Sequence, residues 1–353
     1  MRHTAAKLFA TVAIAASLAT VAAGQATADP TVTPAAQDIV GTGSDTIQAV
    51  LNQFSTDYNA SLTAAHDTTS PRLYSWDATP AGNITPKTGA STIARPNGSG
   101  GGISALNNNT HTTVDFARSS RGPQSTDPST DDFVAFAQDG VAWAGNSTGN
   151  APANLTTADL KGIYSCTITN WNQITDVSGY TGPNATIKAY IPQLNSGTRA
   201  FFLTAINGGT TALTPGSCVQ SYTPEENEGT DSVFTDANVI FPYSAAHYIG
   251  QTVGGHTTTS DAPGSLTLRS VDGVNPIASN ALNPTFTGSN YGRTVYNVVR
   301  DSEFNGTGTQ ATALQNIFGA SGWICNDSTA AADIASYGFA ALPAFACGAV
   351  VHS

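Results

Sequence analysis

Charge is scarce in this chain, and what there is leans one way. Only 10% of its 353 residues are Asp, Glu, Lys or Arg, with 24 acidic against 13 basic groups and a formal net charge of −11. No run of Lys or Arg occurs, so the chain repels nucleic acid and anionic lipid surfaces, and any anion it binds must be held by local geometry. Cysteine is limited to Cys166, Cys218, Cys325 and Cys347, and no two form a Cys-x-x-Cys half-site, which argues against structural zinc. His66, His111, His247, His256 and His352 contain no His-x-x-x-His pair. No metal and no cofactor is expected.

A long apolar run occurs once, from Leu8 to Ala23. It follows the basic start of Arg2, His3 and Lys7 and precedes Ala26-Thr27-Ala28, a small-x-small cleavage site ahead of Asp29-Pro30. That is the layout of a secretory signal peptide over residues 1–28, too short and small-sided for a membrane span. No other stretch is apolar enough to enter a bilayer, and no cysteine near the cleavage site offers a lipid anchor. The mature chain is therefore expected to be secreted or periplasmic, to be a monomer, and to carry a net charge of −13, since the leader removes Arg2 and Lys7 and no acid. In an exported protein four cysteines read as two disulfides. Three connectivities are possible, and local loop closure favours Cys166–Cys218 with Cys325–Cys347.

At 40% hydrophobic the chain can build a large core, and its length fits two domains or one bilobal unit. Residues 29–37 read as a disordered lead-in, and 60–92, rich in Thr, Pro and Gly, as a long loop. Asp38-Ile39-Val40 reads as a strand. Ile47, Val50, Leu51, Phe54 and Tyr58 then fall on helical spacing, with Ser44 or Asp45 as N-cap. Ile103 and Leu106 predict a short helix, and Val114–Ala117 a strand. Phe133–Phe136 and Val141–Ala144 predict two further strands. Thr156 and Asp159 look like a capping pair, and Ile187–Ile191 is a strand ahead of a helix carrying Phe201, Phe202, Ala205 and Ile206. Strand-then-helix alternation predicts α/β layers with mostly parallel sheets.

Four strand ends share one plan: Gly-Thr-Gly-Ser-Asp (41–45), Gly-Ser-Gly-Gly (98–101), Arg-Ser-Ser-Arg (118–121) and Ser-Gly-Thr (196–198). A helix follows at least three of them. A helix start exposes unpaired N–H groups and a positive dipole end, glycine lets the backbone come close, and hydroxyls add donors that rotate to fit. A Ser or Thr at a helix start is usually only a cap. Four such turns in one chain ask for a fold that gathers them beyond the carboxyl ends of the strands.

On these residues the chain resembles the phosphate-binding proteins of ABC transporters, in the type II periplasmic-binding-protein superfamily. The motifs are Gly41 to Thr46, then Gly98–Gly102 with Val-Asp-Phe-Ala-x-Ser-Ser-Arg (114–121), then Asp159–Tyr164 through Ile-Thr-Asn-Trp (168–171), with Ser-Gly-Thr-Arg (196–199) beyond. Weaker echoes lie at 271–273 and 337–343. The resemblance implies two α/β lobes, each a mixed sheet flanked by helices, with the ligand cleft between them: residues 38–142 plus 292–353 as one lobe and 143–291 as the other. It also implies an inorganic oxyanion, phosphate first, as ligand, and an ABC permease as partner. Ligand contacts carried over are Ser44, Asp45, Thr46, Ser99, Gly100, Ser120, Ser196, Gly197 and Thr198. Two positions depart from the family pattern. Ser120 stands where an aspartate usually accepts a proton from hydrogen phosphate, and Pro192-Gln193-Leu194-Asn195 lacks the usual arginine. Asp45 is the substitute expected for the acceptor and Arg121, or Arg118, for the cation. The structural alternatives are that Asp45 only caps its helix and that Arg118 pairs with Asp115 or another surface acid.

Other readings are a secreted structural, adhesion or scavenging protein on the same fold, and a serine hydrolase built on Gly145-Asn146-Ser147-Thr148-Gly149. The hydrolase elbow needs a helix starting at its serine, and Gly149-Asn150-Ala151-Pro152 does not continue one. Asp127, Asp131 and Asp132 read as a solvated turn, and Glu225, Glu226 and Glu228 as a solvated acidic loop.

Overall fold

One strand organises the molecule. In the computed structural model, which describes residues 29–222, 225–343 and 345–353, Asp131–Asn146 forms a single strand of 16 residues, spanning roughly 50 Å at ~3.3 Å per residue. The leader expected over 1–28 lies outside the described residues. Asp131–Gly140 pairs antiparallel with Gly292–Arg300, and Val141–Gly145 pairs antiparallel with Val239–Ser244. On one side the sheet continues through Phe116–Ser119, Ile39–Gly43 and Leu73–Ser75, the last two pairings parallel. On the other it continues in parallel through Lys188–Pro192 to Gln220–Tyr222. Two parallel wings thus share an antiparallel centre, which is the mixed two-lobed α/β fold the sequence implied.

The two strands expected at Phe133–Phe136 and Val141–Ala144 are one, continuous through Gln138-Asp139-Gly140. Asp139 is fully buried within it. Its carboxylate accepts from Arg293 Nη2 at 2.7 Å, Ser244 Oγ at 2.9 Å and the Ala246 amide at 2.9 Å. Those partners arrive from distant segments, and they satisfy a charge the core would otherwise reject.

Each wing has its own core. Val50, Leu51, Phe54 and Tyr58, the buried stripe of helix Gln48–Ala64, pack with Ile39, Phe116, Val295 and Leu314. Trp143, Tyr164, Trp171, Ile191 and Phe202 anchor the other core. Packing crosses the lobe boundary expected at 143–291: Ala245, Ala246, Ile249 and Leu282 sit in the first core. Strand Val239–Ser244 hands directly into helix Ala245–Thr252, whose Ser244 cap and Ala246 amide are tied to Asp139.

Several local expectations change. Helix Gln48–Ala64 starts after Ile47, and neither Ser44 nor Asp45 caps it. The lead-in is tied down where Asp29 takes a bidentate pair from Arg95 at 2.6 and 2.7 Å. The segment read as a loop over 60–92 contains the end of that helix and two short strands. Asp131 and Asp132 are buried in the long strand and do not form a solvated turn. The Thr156–Asp159 capping box forms as expected, and both favoured disulfides, Cys166–Cys218 and Cys325–Cys347, are present. Among the described residues no helix is long and apolar enough to cross a membrane.

Candidate functional site: a hydroxyl cradle between the lobes

The four turns meet. Ser99, in the first turn of helix Gly98–Asn108, lies with its Oγ 3.3 Å from Ser120 Oγ and accepts from the Ser120 amide at 3.0 Å. From the far side of the cleft, Ser196 caps helix Gly197–Ala205, its Oγ accepting from the Arg199 amide at 3.0 Å. Thr198 Oγ1 reaches to 3.1 Å from Thr46 Oγ1. Gly197 presses on the opposite wall so closely that a Cβ there would lie 2.3 Å from Ser99 Oγ and 2.5 Å from Ser120 Oγ. The Gly100 amide donates across the cleft to the Asn195 carbonyl at 2.9 Å. Gly98, at φ +76, has no room for a Cβ, which would fall 2.5 Å from that same carbonyl. The cleft is shut.

At the centre of these donors lies a carboxylate that the sequence reading placed in solvent. Glu226 is 2% exposed. Thr46 Oγ1 donates to its Oε1 at 2.6 Å and Ser196 Oγ to its Oε2 at 3.3 Å. Among the described residues no Lys or Arg comes within ion-pair distance of it. A buried carboxylate is costly without compensation. Here hydroxyls and the start of helix Gly197–Ala205 supply it, the means by which helix termini hold anions. Its neighbour Glu225 is also buried and accepts from Asn97 Nδ2. Burial, then the charge of Glu226, pushes the Glu225 carboxyl up to about 8.

The two arginines proposed as the cation do other work. Arg118 is fully buried and, among the described residues, forms no ion pair with an acid. It donates from Nε to the Ser44 carbonyl at 2.9 Å, and from Nη1 to Trp76 O at 2.7 Å and Ser75 Oγ at 2.6 Å. Asp115, the partner expected for it, is held by Lys87 at 2.6 Å. Burial lowers the Arg118 guanidinium to about 10, and its role is to staple the Gly43-Ser44 turn. Arg121 forms a bidentate pair with Asp127 at 2.6 and 2.9 Å. Asp45 is 5% exposed, hydrogen-bonds to none of the cradle hydroxyls, and has no partner for Oδ2 among the described residues. Burial, then Glu225 and Glu226, pushes its carboxyl well up.

His247 supports the cradle from behind. Burial alone would lower it, but Asp261 at 2.7 Å and the Thr46 carbonyl at 2.9 Å from Nδ1 raise it to about 9. As the imidazolium it donates from both ring nitrogens and fixes the main chain at Thr46. Nothing near His247 in the sequence marks this role, because its partners lie 14 and 201 residues away. Ser147 sits in an exposed turn after the long strand, with no helix starting there, so the hydrolase elbow is not formed.

A cleft between two α/β wings, joined by crossing strands and lined by neutral donors at helix starts, is the architecture of a two-lobed solute-binding protein. A model described as the PBP superfamily domain matches residues 22–312, and the chain belongs to that family. Solved structures agree on the fold. A protein from Clostridium perfringens described as a phosphate ABC transporter substrate-binding protein, with phosphate bound, aligns at a TM-score of 0.60 and 19% identity, covering 87% of this chain and 100% of that one. An ABC-type phosphate transport receptor from Vibrio cholerae aligns at 0.56 and 18%, with the same coverage. A phosphate-binding protein from Stenotrophomonas maltophilia aligns at 0.51 and 13%, covering 87% and 91%. No curated protein matches the chain in sequence.

Proposed function

We propose that this protein is an exported receptor that binds an inorganic oxyanion, phosphate first, in the cradle between its lobes and presents it to an ABC-type permease. The observation that carries the reading is the convergence of Thr46 and Ser196 hydroxyls on the buried carboxylate of Glu226. A cradle of neutral donors that holds one oxyanion suits another of similar oxygen spacing. The structural relatives, described as phosphate receptors or phosphate-binding proteins, support the same ligand class. Thr46, Ser99, Ser120, Ser196, Gly197 and Thr198 are the donors assigned to the anion, Gly100 closes the cleft beside them through its bond to the Asn195 carbonyl, and Glu226 is a tethered stand-in that withdraws when solute binds. A short tether gives such a group a local concentration in the millimolar range, so it sets a threshold that solute must exceed.

Calorimetric titration of the chain from Asp29 onward, stripped of bound solute, tests this. Phosphate should bind saturably, and Glu226→Ala should bind it roughly tenfold or more tightly, since the competitor is gone. Weaker phosphate binding in Glu226→Ala would make Glu226 a ligand contact and overturn the stand-in role. No heat with phosphate or sulfate in either form would overturn the oxyanion reading.

A further inference from the structure

Beside the cradle, on the far side of Asp45, lies a cavity of about 350 Å³. Four carboxyl groups line it, from Asp45, Asp77, Glu228 and Asp261, and no Lys or Arg does. Three of the four have partners. Asp77 accepts from Asn52 Nδ2 at 2.8 Å, Glu228 from the Glu225 amide at 3.2 Å, and Asp261 from His247 and Gln251 at 2.7 and 2.6 Å. Asp45 is the exception: it is 95% buried, and among the described residues its Oδ2 has no hydrogen-bond partner. A buried carboxyl oxygen left unmatched costs free energy that an incoming donor would recover. The far wall carries His256 stacked on Tyr337, ring centroids 3.7 Å apart and ring planes nearly parallel, with His256 Nε2 2.6 Å from Ser336 Oγ. Burial, then the charge of His247, keeps the His256 ring below its usual range.

We propose that this cavity is a second ligand site, taking a small organic cation whose ammonium group meets Asp45 and whose body lies against the Tyr337–His256 wall. The wall chemistry sets the sign of the ligand's charge: four acids face this space, and among the described residues the His247 imidazolium on Asp261 is the one cation paired with any of them, an imbalance that favours a positive guest. Size sets the class. The cavity is far larger than a bare ion, and among the described residues no three acids or histidines converge to hold a metal. An aromatic face such as the stacked Tyr337–His256 pair, beside carboxyl groups, is the combination that recognises alkylammonium groups. The site does not depend on the oxyanion reading, although Asp45 and Thr46 are neighbours in the chain and each serves one of the two spaces.

The test is calorimetric titration of the chain from Asp29 onward with ethanolamine, putrescine and tetramethylammonium, each also run in a second buffer of different ionisation enthalpy. At least one amine should bind saturably and release a proton, as Asp45 ionises on meeting the cation. Asp45→Asn, which keeps the shape, should weaken that binding at least tenfold and abolish the proton release. Ala49→Phe, which fills the cavity from helix Gln48–Ala64, should block the amines while phosphate titration of the same variant reports whether the cradle still functions. Thermal melts of both variants establish that they fold. No saturable binding of any amine would overturn the proposal. So would undiminished binding to Asp45→Asn, or calcium binding more tightly than every amine.

Discussion

Arg118 shows how one residue type can carry opposite meanings in sequence and in structure. Beside two serines it reads as a cation for an anionic ligand, yet its guanidinium is spent on the carbonyls of Ser44 and Trp76 and the hydroxyl of Ser75. Replacing it with Met removes the donors but leaves those buried groups. Arg118→Met should therefore cost about 3 kcal/mol of folding stability, read by urea unfolding, and leave the phosphate affinity of the folded fraction within a few-fold of wild type. A larger affinity loss at unchanged stability would make Arg118 a ligand contact. Glu226 is the converse. Three acids in the four residues 225–228 look like solvated surface, and local sequence gives no reason to bury them. Only the hydroxyls of Thr46 and Ser196, 180 and 30 residues away, make burial tolerable. The donors were legible because each belongs to a short motif. What they enclose was not, because it comes from a segment with no motif of its own.

Among the elements, those with local causes were the readable ones. Helix Gln48–Ala64 follows from its apolar spacing, and helix Thr157–Tyr164 from its capping box. The long strand was missed because its middle is stabilised by Arg293 and by the start of helix Ala245–Thr252, which the local pattern does not contain. The two capped helices allow a clean comparison. Thr156 caps a helix away from the cleft, so Thr156→Ala should lower stability by about 1 kcal/mol and leave binding alone. Ser196 caps helix Gly197–Ala205 and also faces Glu226. Ser196→Ala should lose a similar amount of stability and weaken phosphate binding about tenfold, one donor's worth. Denaturant melts paired with titrations separate the two, and equal binding losses would show that the cradle senses helix stability and not its donors.

For the molecule as a whole, stability should fall as pH rises from about 5 to 9. Glu225 is held up to about 8 when folded, against 4.5 for an unperturbed glutamate, so between those values the folded chain keeps a proton the unfolded chain has lost. Its stabilisation is complete below the lower value and gone above the higher. His247, held up to about 9 against 6.5, adds the same sign over its own window. Melting temperatures across that range should decline, and Glu225→Gln should flatten the part below pH 8; a rise with pH would contradict both assignments. One more consequence follows from the direct bridge between Gly100 and Asn195 and the seating of Gly197 against Ser99 and Ser120. That latch forms with one of the chain's own carboxylates in the cradle, so shutting is not reserved for an incoming solute. A partner that recognises the shut outline meets the same outline whichever anion fills the centre. For a receptor that serves a permease, as proposed, the sign that cargo is aboard would then rest on how long the latch holds, so dwell time rather than outline would carry the signal.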